Sequence, residues 1–199
     1  MKDLGKANYI LGTKLWRDRK NRILGLSQAG YIDKVLEWFS MQNSKKGLLP
    51  FRHGVPLFDD ERPKTFEEEN MIRQVPYASV VGSLMYAMPC TNPDICYSVV
   101  SRYQSNPGLI NWQAVKHILK YLRRTRDYML VYRCEDLILI GYIDLDFQSD
   151  LDFRKSTSGY LFTLRGRAIS WRSVMQSCIA YSTKEAEYVV SCKVTKEAV

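Results

Sequence analysis

The chain has 199 residues, 46% of them hydrophobic and 25% charged, ordinary for a globular protein and long enough for one large or two small cores. A formal charge of +8 and a pI near 9.2 favour an anionic partner, nucleic acid first, with a merely basic surface as the plain alternative. Five cysteines without CxxC spacing argue against a disulfide framework; with no signal-like N-terminus and no apolar run of membrane-spanning length, they point to a soluble intracellular chain, cytoplasmic or nuclear, with no membrane partner.

Residues 1–46 form a first unit. Tyr9–Trp16 and Ile23–Leu26 predict a hairpin turned by the charged stretch Arg17–Arg22, and Ser27 is placed to cap a helix over 28–39. Tyr31, Val35, Leu36 and Phe39 would be its apolar face. Residues 47–75 are polar, hold three of the seven prolines and the acidic runs Asp59–Glu61 and Glu67–Glu69, and read as a linker with a short helix near 65–73. Acidic runs of this kind are usually solvated surface rather than metal ligands.

Residues 76–135 read as a mostly helical connection. Pro76 and Pro93 suit the first turns of two helices within 76–103. A third helix over 111–124 buries Val115, Ile118, Leu119 and Leu122 and carries Lys116, Lys120, Arg123 and Arg124 largely opposite. Such a face is most simply solvated, but it could track a phosphate backbone. Tyr128–Arg133 suggests a short strand.

In 136–199, the nearly continuous apolar run Leu137–Ile143 suits a central strand buried on both faces, with Asp144 where the run stops. Gly159–Leu164 and Ala168–Ser173 are two more strands joined by the short turn Arg165-Gly166-Arg167. Ser182-x-x-Glu185 has the form of a capping box opening a helix on which Glu187, Val190, Val194 and Ala198 share one face. A carboxylate in an apolar stripe is costly unless a cation meets it, and two of them brought together, Asp144 and Glu187, would repel unless an ion such as Mg²⁺ lay between. Two-metal nucleases hold such ions roughly 3.5–4 Å apart. The alternative is that Glu187 lies at the stripe's edge and reaches water. The expected fold class is α+β: an N-terminal hairpin plus helix, a helical connection, then a three-stranded antiparallel meander with a helix packed on it.

The ordered run Gly141-Tyr142-x-Asp144-x-Asp146-Phe147, Arg154-Lys155-Ser156-Thr157-Ser158-Gly159-Tyr160, Ile169-Ser170-Trp171, Gln176-Ser177 and Ser182-Thr183-x-Glu185-Ala186-Glu187-Tyr188 resembles the ribonuclease H domain of copia-type long-terminal-repeat retrotransposon Pol polyproteins. Met1-Lys-Asp-Leu-Gly, Tyr9-Ile-Leu-Gly and Leu26-Ser-Gln resemble the segment after the reverse transcriptase palm. Tyr77-Ala-Ser-x-Val-Gly-Ser-Leu-Met-Tyr-Ala and Asn92-Pro-Asp-Ile resemble the region between polymerase and ribonuclease H.

The resemblance implies that Asp144 is the first-strand metal-binding aspartate and Glu187 the first-helix glutamate, both catalytic and both Mg²⁺ ligands, acting on RNA–DNA hybrids. Asp146 is read as a loop acid. The family's third acid follows the next strand, beyond the helix in which this sequence stops, and no Tyr-x-Asp-Asp polymerase motif occurs. Ile143, Arg124, Arg165 and Arg167 stand where the family has small polar or glycine residues, and the stretch Asp94–Tyr103 is about two residues short, rotating a helix by roughly 200°. The expectation is a truncated Pol remnant of ribonuclease H ancestry, inactive alone, binding Mg²⁺ weakly and nucleic acid weakly and salt-sensitively. The alternative is a non-catalytic basic nucleic-acid-binding or host-adopted interaction module.

Overall fold

Leu11 and Gly12 both carry positive φ, 46° and 73°, and Ile10 pairs with Thr13 across them. This is the geometry of a tight two-residue hairpin whose twist matches that of its strands. It corrects the expectation of one strand over Tyr9–Trp16: the segment is two strands, β1 (Tyr9–Ile10) and β2 (Thr13–Asp18). The computed structural model describes residues 5–50, 63, 65–96, 107–133, 138–150 and 153–198, and the chain divides into two units, 1–135 and 136–199. Residues 51–62 and 64 of the linker, with the acidic run Asp59–Glu61, the part beyond Cys96 of the second helix expected within 76–103, and Leu137 lie outside the described residues.

In the first unit, β2 pairs antiparallel with β3 (Ile23–Ser27) across a turn in which Asn21 donates its backbone N–H and its Nδ2 to the Asp18 carboxylate (3.1 and 2.7 Å). Those two bonds hold the Asp18 carboxyl below its ordinary pKa. Helix α1 (Ala29–Trp38) follows; its N-cap is Gln28, which makes no side-chain cap hydrogen bond, and not the expected Ser27, whose Oγ accepts from the N–H of Ala29. Helix α2 (Phe66–Arg73) is closed by a capping box between Thr65 and Glu68. Helix α3 (Tyr77–Thr91) leads to the short α4 (Pro93–Cys96), then α5 (Leu109–Thr125).

One core joins three of these helices: Ile32, Val35 and Leu36 of α1 meet Val80, Val81 and Leu84 of α3 and Val115, Ile118, Leu119 and Leu122 of α5. The hairpin-and-helix segment and the connection helices therefore share one interior. The strand expected near 128–133 forms as β4 (Leu130–Arg133) and pairs with β3, giving the sheet order β1-β2-β3-β4.

The second unit is an antiparallel meander, β5 (Leu139–Asp146), β6 (Thr157–Leu164) and β7 (Arg167–Met175), followed by α6 (Thr183–Glu197). Arg165 and Gly166, both at positive φ (51° and 74°), make the β6–β7 turn. Residues directly opposite across a sheet share a face, so Gly141, Ile143 and Leu145 lie with Phe162, Tyr160 and Ser158. Helix α6 covers this face by packing Val190 and Val194 against Phe162, Tyr160 and Leu145.

Two expectations are corrected here. The apolar run predicted a strand buried on both faces, yet β5 is an edge of its sheet among the described residues, and Leu139, Ile140, Tyr142 and Ile143 are 42–52% exposed. One neighbouring strand and one helix cannot cover both sides of it. The buried stripe of α6 keeps the predicted Val190 and Val194 but begins at Ala186, and the predicted Glu187 and Ala198 are exposed.

Candidate functional site

Asp144 lies within β5, two residues before its end, opposite Gly159 of β6. By alternation along the strand it shares a face with Ile140, Tyr142 and Asp146, which is the face that α6 does not cover. Its neighbourhood is open, and Asp144 is itself exposed.

Glu187 is set by the first turn of α6. Ser182 Oγ accepts from the Glu185 N–H (3.2 Å), while Glu185 Oε2 accepts from the N–H of Tyr181 (2.9 Å), one residue ahead of a strict capping box. The turn is then fixed to the sheet by Gln176, a side chain only 1% exposed. Its Nε2 donates to Ser158 Oγ (2.9 Å) and to the Ala186 carbonyl (3.1 Å). Ser158 is paired with Leu145, the residue after Asp144. Gln176 thus places Glu187 at the Asp144 end of the sheet, at a neighbouring level. The two acids nevertheless belong to different sides, Asp144 to the uncovered face and Glu187 to the exposed flank of the helix. Next to Glu187, the Tyr188 phenol is pushed up by its hydrogen bond with Cys192.

Among the described residues no three His, Cys, Asp or Glu side chains come together as a metal cage. Asp146 is exposed at the end of β5. Asp150 is buried and occupied locally: its Oδ1 accepts from Phe153 (2.8 Å) and its N–H donates to the Lys155 carbonyl (3.0 Å). Mg²⁺ needs near-octahedral oxygen ligation, and two exposed carboxylates on different faces do not supply it. Among the described residues, no third ligating side chain joins Asp144 and Glu187.

The basic face of α5 is laid out as the periodicity predicts. Lys116, Lys120, Arg123 and Arg124 fall within about 100° of arc, turned away from the buried Val115, Ile118, Leu119 and Leu122. Lys116 Nζ sits 5.1 Å from the centre of the Trp112 ring. Sequence reasoning missed the neighbouring loop: the N–H of Gly47 donates to the Lys120 carbonyl (2.8 Å), bringing the exposed Lys45 and Lys46 to the helix. It also missed the part played by Gln176, although Gln176-Ser177 stood out as a motif.

The chain is 50% identical over 201 residues to the retrovirus-related Pol polyprotein from transposon TNT 1-94 of Nicotiana tabacum, a match that takes in 100% of this chain and 15% of that one. It belongs to the copia-type retrotransposon Pol polyproteins. The Pol polyprotein from transposon RE2 of Arabidopsis thaliana is 38% identical over 191 residues, 94% of this chain and 12% of that polyprotein. The chain thus spans less than a sixth of either Pol polyprotein. A third relative is of a different kind: the secreted RxLR effector protein 161 of Plasmopara viticola is 44% identical over 131 residues, 64% of this chain and 92% of that protein. No protein-family model and no solved structure matches this Pol segment. Among its described residues no helix is long and apolar enough to cross a membrane.

Proposed function

We propose that residues 136–199 are ribonuclease H-derived, with Asp144 and Glu187 descended from metal-binding acids, and that these 199 residues do not cleave RNA–DNA hybrids by themselves. The ordered motifs, the meander followed by a packed helix and the Pol relatives support the ancestry. Residues 1–135 would correspond to the end of the reverse transcriptase and its connection; the sequence holds no Tyr-x-Asp-Asp.

One observation carries the inactivity: Asp144 and Glu187 stand on different sides of one sheet end, with no third acid joining them among the described residues. In this reading Gln176 keeps the helix in register with the strand, and the acids keep their positions without assembling a site. The test is a hybrid-cleavage assay on the chain in Mg²⁺ and in Mn²⁺. No product is expected. Cleavage that disappears in both Asp144→Asn and Glu187→Gln would overturn the proposal.

The effector relative supports a second reading. There a protein made almost entirely of related sequence stands outside any polyprotein, which suits a non-catalytic interaction module. In that case the same acid substitutions would leave whatever binding the chain shows intact.

A further inference from the structure

We infer that β5 is a dimerisation strand: two copies of the chain pair their β5 edges antiparallel about a two-fold axis at Gly141, joining their meanders into one continuous sheet. The inference rests on the geometry of this sheet and does not depend on its ribonuclease H ancestry.

Arg165 donates its backbone N–H to the Ile138 carbonyl (2.9 Å), so Ile138 turns that oxygen toward β6. In an antiparallel ladder this orientation alternates along the strand. Ile140, Tyr142 and Asp144 therefore also bond to β6, whereas the N–H and C=O of Leu139, Gly141 and Ile143 point out of the sheet. With β5 at the edge, these groups have no ladder partner among the described residues.

The two edges of the sheet differ. Strand β7 carries Arg167 and Arg172, and its pairing with β6 is irregular at Phe162/Thr163. Charged side chains and bulges deter edge-to-edge pairing. Strand β5 has no lysine, arginine or proline and keeps an unbroken register with β6. Its exposed side chains from Ile138 to Ile143 are all apolar or aromatic.

Those side chains are self-complementary. In a two-fold contact, if one residue meets a second, the second meets the first. About Gly141, Leu139 of each copy meets Ile143 of the other and Ile140 meets Tyr142, so the exposed apolar residues cover one another. The same axis sets every outward-pointing N–H and C=O of Leu139, Gly141 and Ile143 opposite its counterpart. Asp144 falls opposite Ile138 of the second copy. Arg165 of that copy lies on the same face one strand further, about 10 Å away and within reach of an arginine side chain. Sliding the pair by two residues would set Asp144 against Ile140 or against the acidic residue at 136, replacing an apolar contact by a charge or by a repulsion. Only the register centred on Gly141 satisfies the hydrogen bonds, the apolar side chains and the charges together.

The test is analytical ultracentrifugation of the full chain over a range of concentrations. A dimer of twice the 23.2 kDa chain is expected, with nothing larger, because the β7 edge is guarded. Ile143→Pro removes one outward N–H and no bond to β6, a change that an edge strand tolerates. It should sediment as a monomer, with circular dichroism showing that it is folded. A second variant keeps the proposal falsifiable if that one misfolds: Ile140→Cys combined with Tyr142→Cys. Opposite residues of a non-hydrogen-bonded pair are about 4.5 Å apart, within disulfide range. Mild oxidation should therefore yield covalent dimers in which mass spectrometry finds a 140–142 bridge. Ile138→Cys combined with Tyr142→Cys puts two thiols on the same face but out of register, and should yield no 138–142 bridge. A monomer at every concentration overturns the proposal, as does a folded Ile143→Pro dimer. Growth beyond the dimer, or equal bridging in the two cysteine variants, overturns it as well.

Discussion

The ring of Phe162 occupies the space where a side chain at Gly141 would be. The two residues are directly opposite in the β5–β6 ladder, and a Cβ on Gly141 would stand 2.8 Å from Phe162 Cε1. Phe162 is 7% exposed and is the sheet's contribution to the α6 core, so the ring cannot swing away without unpacking Val190 and Val194. Gly141→Ala is expected to destabilise the second unit by about 1–3 kcal/mol, the usual range for overpacking. Hydrogen exchange of β6 amides reads this directly; unchanged protection would mean that the ring has somewhere else to go.

Gln176→Leu keeps volume but removes both donors that tie Ser158 to the Ala186 carbonyl. The expected loss is about 1–3 kcal/mol, as for other buried polar groups deprived of a partner, and it should be concentrated in the first turn of α6. Amides 184–187 would then exchange faster while those near Val194 remain protected. Uniform loosening of the helix would show that Gln176 is not its local anchor.

A double-mutant cycle tests the placement of the two acids. Asp144→Asn and Glu187→Gln, alone and together, should be additive in urea midpoint without divalent metal, because carboxylates on different sides of the sheet repel little through water. If they did share a site, removing either charge would stabilise the chain, and removing the second would bring no further gain. Such non-additivity would contradict the register described here.

Ile140 is 42% exposed on an edge strand. An exposed apolar edge invites pairing with other chains, and a lysine there is a natural deterrent. Ile140→Lys should reduce light scattering of concentrated samples while changing stability by no more than about 0.5 kcal/mol, as for other surface substitutions. A large destabilisation would mean that the side chain is more tightly packed than its exposure indicates.

The helices were the most legible part of the sequence, because their apolar period depends only on neighbours one turn away. Val115, Ile118, Leu119 and Leu122, read as one face, are all buried. The meander was also legible, since Arg165-Gly166 leaves only two residues between β6 and β7. What failed depended on partners distant in the chain. The run Leu137–Ile143 reports hydrophobicity and not the number of neighbouring strands, so an edge strand passed for a central one. Leu11 gave no local sign of its left-handed turn, for leucine seldom adopts one. On α6, one residue separates Ala186, in the core, from Glu187, in water. Lys45 and Lys46 had no period to betray them; only the fold brings Gly47 to Lys120.

The pairing of β3 with β4 sets Leu26 beside Leu130, and this governs when the first unit can form. During synthesis β1, β2, β3 and α1 emerge early, but the outer side of β3 has no partner until the whole of α5 and then Arg133 have left the ribosome. Pairings over such sequence separations close slowly, because the loop entropy must be met before the contact repays it. Through that interval the nascent hairpin presents an open strand, and α1 lacks the α3 and α5 side chains that bury Ile32, Val35 and Leu36. Ribosome-stalled chains ending before residue 130 should therefore be protease-sensitive at the N-terminal hairpin, and protection should arrive in one step once β4 is free, marking the first unit as a late-closing element of translation.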